Sequence, residues 1–388
     1  MSTAPDLDVD QLLKDRSIRI LVCCGSGGVG KTTVAAALGV RAADLGRRAV
    51  VLTIDPARRL AQSLGLTTLD NEPRVVAGVG DETVGGSLSA MMLDMKRTFD
   101  EIVEAHADPQ RAATIFANPF YQALSTSFAG TQEYMAMEKL GQLHAQLDDE
   151  HGWDLLIVDT PPSRSALDFL DAPRRLGSFL DGRLMRMLAS PARAGGRLSL
   201  RVVNAGFGFF SGVLTRILGA QVLQDIQAFV GAFDALFGDF RVRAEATFAL
   251  LQSDETAFVV VATPESDALR EASYFVERLE MEHMPLAGLV LNRVQPPPTT
   301  GVTAEAAIAA AQHLEAHGRK HALTASLLRL HADGLLLRER QAHVAERFAA
   351  AHDDVPTVGV EALAEDVHDL EALRRIGTLL HTGNGLFG

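Results

Sequence analysis

Cysteine is scarce: only Cys23 and Cys24 occur in 388 residues. They are adjacent in a segment that reads as a strand, where neighbours point to opposite faces. They are therefore not placed to bridge each other or to share a metal. Positive charge is also in short supply. Lys and Arg number 36 against 49 Asp and Glu, a net charge of −13, and such a surface repels phosphate backbones and disfavours sequence-independent nucleic-acid binding. Long apolar runs are missing as well. The stretch Val202 to Thr215, between Arg201 and Arg216, falls short of the roughly 20 residues a spanning helix needs. Met1 to Asp15 carries acids and no apolar stretch of the signal-peptide kind, and no repeat of solenoid period occurs. These absences set the expectation of a reduced, soluble, cytoplasmic protein without nucleic acid as partner and without stable membrane insertion.

What is present is ordinary globular material, 47% hydrophobic and 22% charged, enough to bury a large core. Short β-branched runs recur at Ile18–Cys24, Ala49–Ile54, Leu88–Leu93, Trp153–Val158, Phe258–Ala262 and Leu286–Leu291, with Val355–Val360 as a last candidate. Near-continuous apolar strands separated by helical patterns predict an α/β fold, a mostly parallel sheet with helices on both faces. Residues 1–17 read as a mobile acidic tail. From about 97–146 and 165–251 only helical patterns occur, which predicts a helical subdomain inserted into one α/β core over 18–388. Eight of the eighteen phenylalanines lie between Phe207 and Phe248. The loop Gln295–Gly301, with three consecutive prolines, can be neither helix nor inner strand.

The chemistry concentrates in Gly25-Ser-Gly-Gly-Val-Gly-Lys31-Thr32, which matches G-x-x-x-x-G-K-[ST] after a strand and at the start of a helix. Glycines let backbone N–H groups curl around phosphate oxygens, and the helix N-terminus adds positive potential. Gly27, Gly28, Val29, Gly30, Lys31, Thr32 and Thr33 are the candidate nucleotide contacts. Lys31 is expected at the β/γ-phosphates and the Thr32 hydroxyl on Mg²⁺. Two further strands end in carboxylates, Asp55 of Ile54-Asp-Pro56 and Asp159 of Ile157-Val-Asp-Thr-Pro161. At the carboxyl ends of parallel strands they point into the crevice where α/β sheets bind ligands. One can orient the attacking water and the other can hold the Mg²⁺ shell. Either alone is also a plain helix N-cap.

This order of motifs resembles the ArsA-type anion-transporting ATPases and the related tail-anchored-protein targeting ATPases, dimeric SIMIBI-class P-loop proteins with MinD and ParA as cousins. Leu93–Phe99 and Gly130–Tyr134 are similar to helical segments of that family. The resemblance implies Asp55 as the catalytic switch I carboxylate and Asp159 as switch II, near Mg²⁺ in its outer shell. It also implies Asn292 as an adenine contact. A guanine site of N-K-x-D type would need a carboxylate at position 295, and Gln295 is there, so ATP is the expected nucleotide. Three departures stand out. Ser26 occupies the place of the lysine that reaches a dimer partner's nucleotide, Arg58 stands where the family has histidine, and there is no C-x-x-C for a dimer zinc.

The Ser26 departure predicts either a heterodimer with a paralogue that keeps the lysine or a stand-in cation from Arg58 or Arg59. It also leaves open a regulatory subunit that binds ATP and barely hydrolyses it. A ParA/MinD-type positioning ATPase is the remaining alternative, disfavoured by the charge of −13. His313, His317 and His321 share one helical face and could bind a transition metal, although a solvated face explains them as well. The phenylalanine-rich stretch fits helix packing or a groove for an apolar protein client. Leu370, Leu373, Ile376 and Leu380 predict a C-terminal helix docked on the core.

Overall fold

The computed structural model describes residues 5–54, 59–80, 85–119, 121–122, 125, 131–147, 152–161, 242–298 and 301–383. The elements run α1 (Val9–Lys14), β1 (Ile20–Gly25), α2 (Lys31–Asp44), β2 (Arg48–Thr53), α3 (Arg59–Ser63), β3 (Arg74–Val75), β4 (Ser87–Met92), α4 (Met95–His106), α5 (Pro109–Ala117), α6 (Thr131–Ala145), β5 (Leu155–Asp159), β6 (Thr256–Ala262), α7 (Ser266–Met281), β7 (Leu286–Val294), α8 (Ala304–Ala316), α9 (Ala322–Ala351), β8 (Thr357–Glu361) and α10 (Leu370–Thr382).

Eight strands form one sheet in the order β3-β4-β2-β5-β1-β6-β7-β8. Pairing is parallel from β2 through β5, β1, β6 and β7 to β8, and antiparallel only between β3 and β4. Every residue of β1, β5 and β6 is buried. Consecutive strand residues point to opposite faces, so full burial means both faces of the sheet are covered. This is the α/β architecture that the apolar runs predict. The added strand β3 is two exposed residues long, too short for periodicity to register.

β1 lies between β5 and β6, and the chain leaves it toward β2 on one side and reaches β6 on the other. The order therefore reverses at β1, and the carboxyl end of β1 opens on the crevice characteristic of such sheets. At the far edge, α10 buries Leu373, Ile376 and Leu380 and packs against α2 and β8. Arg374 ties it to the Gly78 carbonyl at 2.6 Å.

The N-terminal segment departs from the sequence reading. From residue 5 onward it is docked, not a mobile tail. The Thr357 N–H donates to the Pro5 carbonyl at 2.8 Å, and the Leu7 N–H donates to the Thr357 carbonyl at 3.2 Å. α1 is capped by Asp8, which accepts from the Gln11 N–H, and Leu7, Val9 and Leu13 are buried. One of the acids that made the segment look solvated has its partner far away in sequence, and the segment's carbonyls are held from a distance too. Asp10 takes a two-point hydrogen bond from Arg41 at 2.9 and 2.7 Å. The fully buried Arg47 donates to the carbonyls of Leu13, Asp15 and Ile18 and to the Asp154 carboxylate. Removing it would strand those acceptors.

The chain divides into two compact units: Met1–Met91, Gln146–Ala166 and Leu251–Gly388 form the first, Met92–Ala145 and Leu167–Leu250 the second. The described part of the second is helical. Asp94 and Asp108 cap α4 and α5, the latter with Pro109 in its first turn. Phe99 meets Tyr121 edge to face at 6.0 Å, and Lys139 and Arg243 pair with Glu101 and Glu138. Most of the phenylalanine-rich stretch lies outside the described residues.

Candidate nucleotide-binding site

The loop between β1 and α2 is shaped by residues that tolerate no side chain. Gly25 has φ +147, and a Cβ there would sit 2.1 Å from the Val261 carbonyl oxygen of β6. Gly30, at φ +92, is the N-cap of α2 and leaves its first N–H groups without a side-chain cap. Those donors and the positive end of the helix dipole make an anion site. A Cβ on Gly30 would lie 2.3 Å from Asn292 Nδ2. Gly27 and Gly28 are exposed, Val29 is buried, and Gly30 and Thr33 are half-buried.

Lys31 is buried and its Nζ donates to the Ser26 carbonyl at 2.8 Å, inside the curl of the loop. The next residue, Thr32, donates from Oγ1 to Asp159 Oδ2 at 2.8 Å. Thr53, at the end of β2, donates to the same oxygen at 2.9 Å. Sheet register explains the meeting, since Asp159 of β5 stands level with Cys23 of β1 and Thr53 of β2. Asp159 is completely buried, and its Oδ2 is held by the two threonine hydroxyls. Sequence reasoning missed Thr53, whose sole signal is its place two residues before Asp55.

Asp55 and Arg58 lie outside the described residues. The chain leads up to Asp55 along β2, and the Ile54 N–H donates to the Asp159 carbonyl at 3.1 Å. Asn292 on β7 is buried against the loop. Its Nδ2 donates to the Val29 carbonyl at 2.7 Å, and its Oδ1 accepts from the Arg293 N–H at 3.0 Å. Arg293 adopts φ +61, uncommon for a side-chain-bearing residue, and stands at an irregularity of β7 where the register with β8 shifts between Asn292 and Val294.

Cys23 and Cys24 are buried thiols. Burial pushes Cys24 up to about 12, and Cys23 is raised well above its ordinary range by burial and then by the Asp159 charge. Neither is a thiolate near neutrality, and the thiolate is the ligand form. Among the described residues no group of three or more His, Cys, Asp or Glu is placed to hold a metal ion. The histidine triplet does not lie on one helix. α8 ends at Ala316, Gly318 turns at φ +98, and His321 closes a 3-10 turn.

Oxygen donors are what Mg²⁺ takes, and Thr32 with Asp159 supplies them beside an anion-binding loop, so the residues fit a magnesium nucleotide. A glycine-shaped phosphate loop, with a buried lysine and a Thr–Asp pair at the switch point of a parallel sheet, defines a P-loop nucleotide-binding protein. The model of the anion-transporting ATPase family matches residues 18–313. The chain belongs to that family. It is 24% identical over 75% of its length to ATPase GET3 of Malassezia globosa, covering 77% of that protein. It is 25% identical to ATPase get3 of Schizosaccharomyces pombe and 23% to that of Schizosaccharomyces japonicus, over 75% of this chain and 78% and 79% of theirs. No helix among the described residues is long and apolar enough to cross a membrane.

Proposed function

We propose that this protein binds Mg-ATP and hydrolyses it, and that nucleotide state rearranges a dimer and its helical unit. The observation that carries the reading is the convergence of Thr32 and Thr53 on one buried Asp159 oxygen, immediately after the buried Lys31. In this reading the Lys31 ammonium leaves the Ser26 carbonyl for the β/γ-phosphate oxygens. The first N–H groups of α2 take the remaining phosphate oxygens. Thr32 and Asp159, paired across the site, would hold the Mg²⁺. Bound metal supplies charge neutralisation at the phosphates. Thr53 fixes the Asp159 carboxylate from the β2 side, so loading of the site is felt on the strand that leads to Asp55. Asp55 orients the attacking water. Because γ-phosphate contacts hold switch loops that release on hydrolysis, the segments after β2 and β5 are the ones that respond. An apolar protein client on the helical unit is part of the same reading.

A second reading has a specific observation in its favour. Ser26 is only 8% exposed and its carbonyl is occupied by Lys31, so it presents no cation outward to a partner's nucleotide. A lysine-bearing paralogue in a heterodimer would complete the site. The isolated chain would then be a slow hydrolase.

Steady-state phosphate release by the purified chain, with Lys31→Ala as control, tests the first reading. Magnesium-dependent turnover lost in Lys31→Ala supports it. Turnover that persists in the variant places the activity elsewhere.

A further inference from the structure

The far end of the chain grips the loop that leaves the nucleotide site. Both backbone polar groups of Gln295, the first residue after β7, are taken by side chains of α9. The Gln295 N–H donates to Gln341 Oε1 at 2.8 Å, and the Gln295 carbonyl accepts from Arg338 at 2.7 Å. Gln341 is itself buried. The Gln295 side chain also lies along the helix, at a point where a Cβ on Gly334 would come within 3.3 Å of its Nε2. Three residues upstream, Asn292 braces the Val29 carbonyl of the P-loop. One continuous set of contacts thus runs from α9 through Gln295 and Asn292 to the phosphate loop. The residues on α9 lie beyond the part of the chain that the family model matches, which ends at 313.

We infer that Gln341 and Arg338 are positioning residues for the base end of the nucleotide: they fix the backbone of residues 293–298 beside the P-loop. The physical ground is the accounting of polar groups. A loop residue with both its N–H and its C=O fixed by side chains has one position, whereas the same residue bonded to water has many. Residues 295–298 leave the carboxyl end of β7 at the crevice, on the side of the P-loop away from β5 and Asp159. In the nucleotide reading the phosphates lie at the α2 N-terminus and Asn292, which abuts the P-loop at Val29, is on the base side, so the base end lies beside that loop. Arg293, at φ +61, sits at the β7 irregularity two residues before Gln295, a conformation that persists only where its surroundings hold it. Gly334 serves the same end by leaving room for the Gln295 amide.

The inference rests on the nucleotide reading above, and its test separates the two. Calorimetric titration of the full chain would compare Mg-ATP with magnesium tripolyphosphate, which carries the phosphates and no base. For Gln341→Ala combined with Arg338→Ala, losing two hydrogen bonds predicts a roughly tenfold weaker ATP affinity. Tripolyphosphate affinity stays within about twofold, and KM for ATP rises by more than kcat falls. Gln341→Glu restores ATP affinity, because its carboxylate still accepts from the Gln295 N–H. Equal losses for ATP and tripolyphosphate, or no loss for either, overturn the inference. A measurement on the unaltered protein covers the case of an alanine variant that does not fold. Hydrogen exchange of the Arg293, Val294 and Gln295 amides, which precede three prolines without an N–H, should slow with ATP and not with tripolyphosphate, and identical protection by both overturns the inference. An unaltered chain that binds neither ligand removes the nucleotide reading and the inference with it. An unaltered chain that binds ATP, with variants equal to it, removes the inference alone.

Discussion

Lys31 donates from Nζ to the carbonyl of Ser26 at 2.8 Å, closing the phosphate loop on its own lysine. The cation that the loop offers to phosphate is thus already inside it. Lys31→Ala should weaken Mg-ATP binding at least tenfold, the loss of a charge-assisted hydrogen bond. The circular dichroism spectrum should stay unchanged. Titration calorimetry on the folded variant measures it, and unaltered affinity would remove Lys31 from the phosphate site.

Ser26 sets the next expectation. A cation supplied in trans is worth about 10³–10⁵ in rate for phosphoryl transfer, and a homodimer of this chain has none at position 26. The isolated chain should hydrolyse ATP slowly and Ser26→Lys should accelerate it, as should addition of a lysine-bearing paralogue. A fast homodimer indifferent to Ser26→Lys and disabled by Arg58→Ala would assign the role to Arg58.

Asp55→Asn should lower kcat by roughly a hundredfold or more while ATP still binds, the magnitude of lost positioning and base catalysis. Single-turnover kinetics separate binding from chemistry here. Retained turnover would shift the role to Asp159.

Gly30→Ala is expected to cost about 1–3 kcal/mol of stability, because its Cβ would stand 2.3 Å from Asn292 Nδ2 in a left-handed backbone. Adding Asn292→Ala should recover part of the loss by clearing the contact, while the positive φ keeps its own cost. Thermal melts of the single and double variants measure this, and additive losses would contradict it.

Acid should loosen the N-terminal segment. Burial pushes the Asp10 carboxyl up, but the hydrogen bonds and charge of Arg41 outweigh this and hold it below its usual range. A carboxyl depressed in the folded state contributes stability in full above its unfolded pKa, near 3.9. That contribution is lost as pH falls from there through the folded value. The protection factors of the α1 amides, measured against the intrinsic exchange rate at each pH, should therefore hold from neutrality to about pH 4 and fall below it. Asp10→Asn should show reduced protection at every pH.

The runs Ala49–Ile54 and Phe258–Ala262 announced buried parallel strands because period-2 alternation is lost when both faces are covered. The 1–17 segment misled for the opposite reason. Its acids signal solvent only if no cation reaches them, and Arg41 reaches Asp10 from the far end of α2, while Arg47, just before β2, takes the segment's carbonyls. The histidine triplet was a face only on an unbroken helix, and Gly318 breaks it.

The sequence by itself determined the phosphate loop, since Gly25 to Thr33 lie within one strand–turn–helix unit whose geometry local residues dictate. It also determined the class of sheet, through the composition of its strands. Only the tertiary structure decided the company of that loop. Asp159 meets Thr32 across 127 residues and Thr53 across 106, Asn292 reaches Val29 across 263, and Gln341 meets Gln295 across 46. Those meetings depend on strand order and register. Apolar periodicity tells a strand which faces it buries and carries no information about which strand lies beside it.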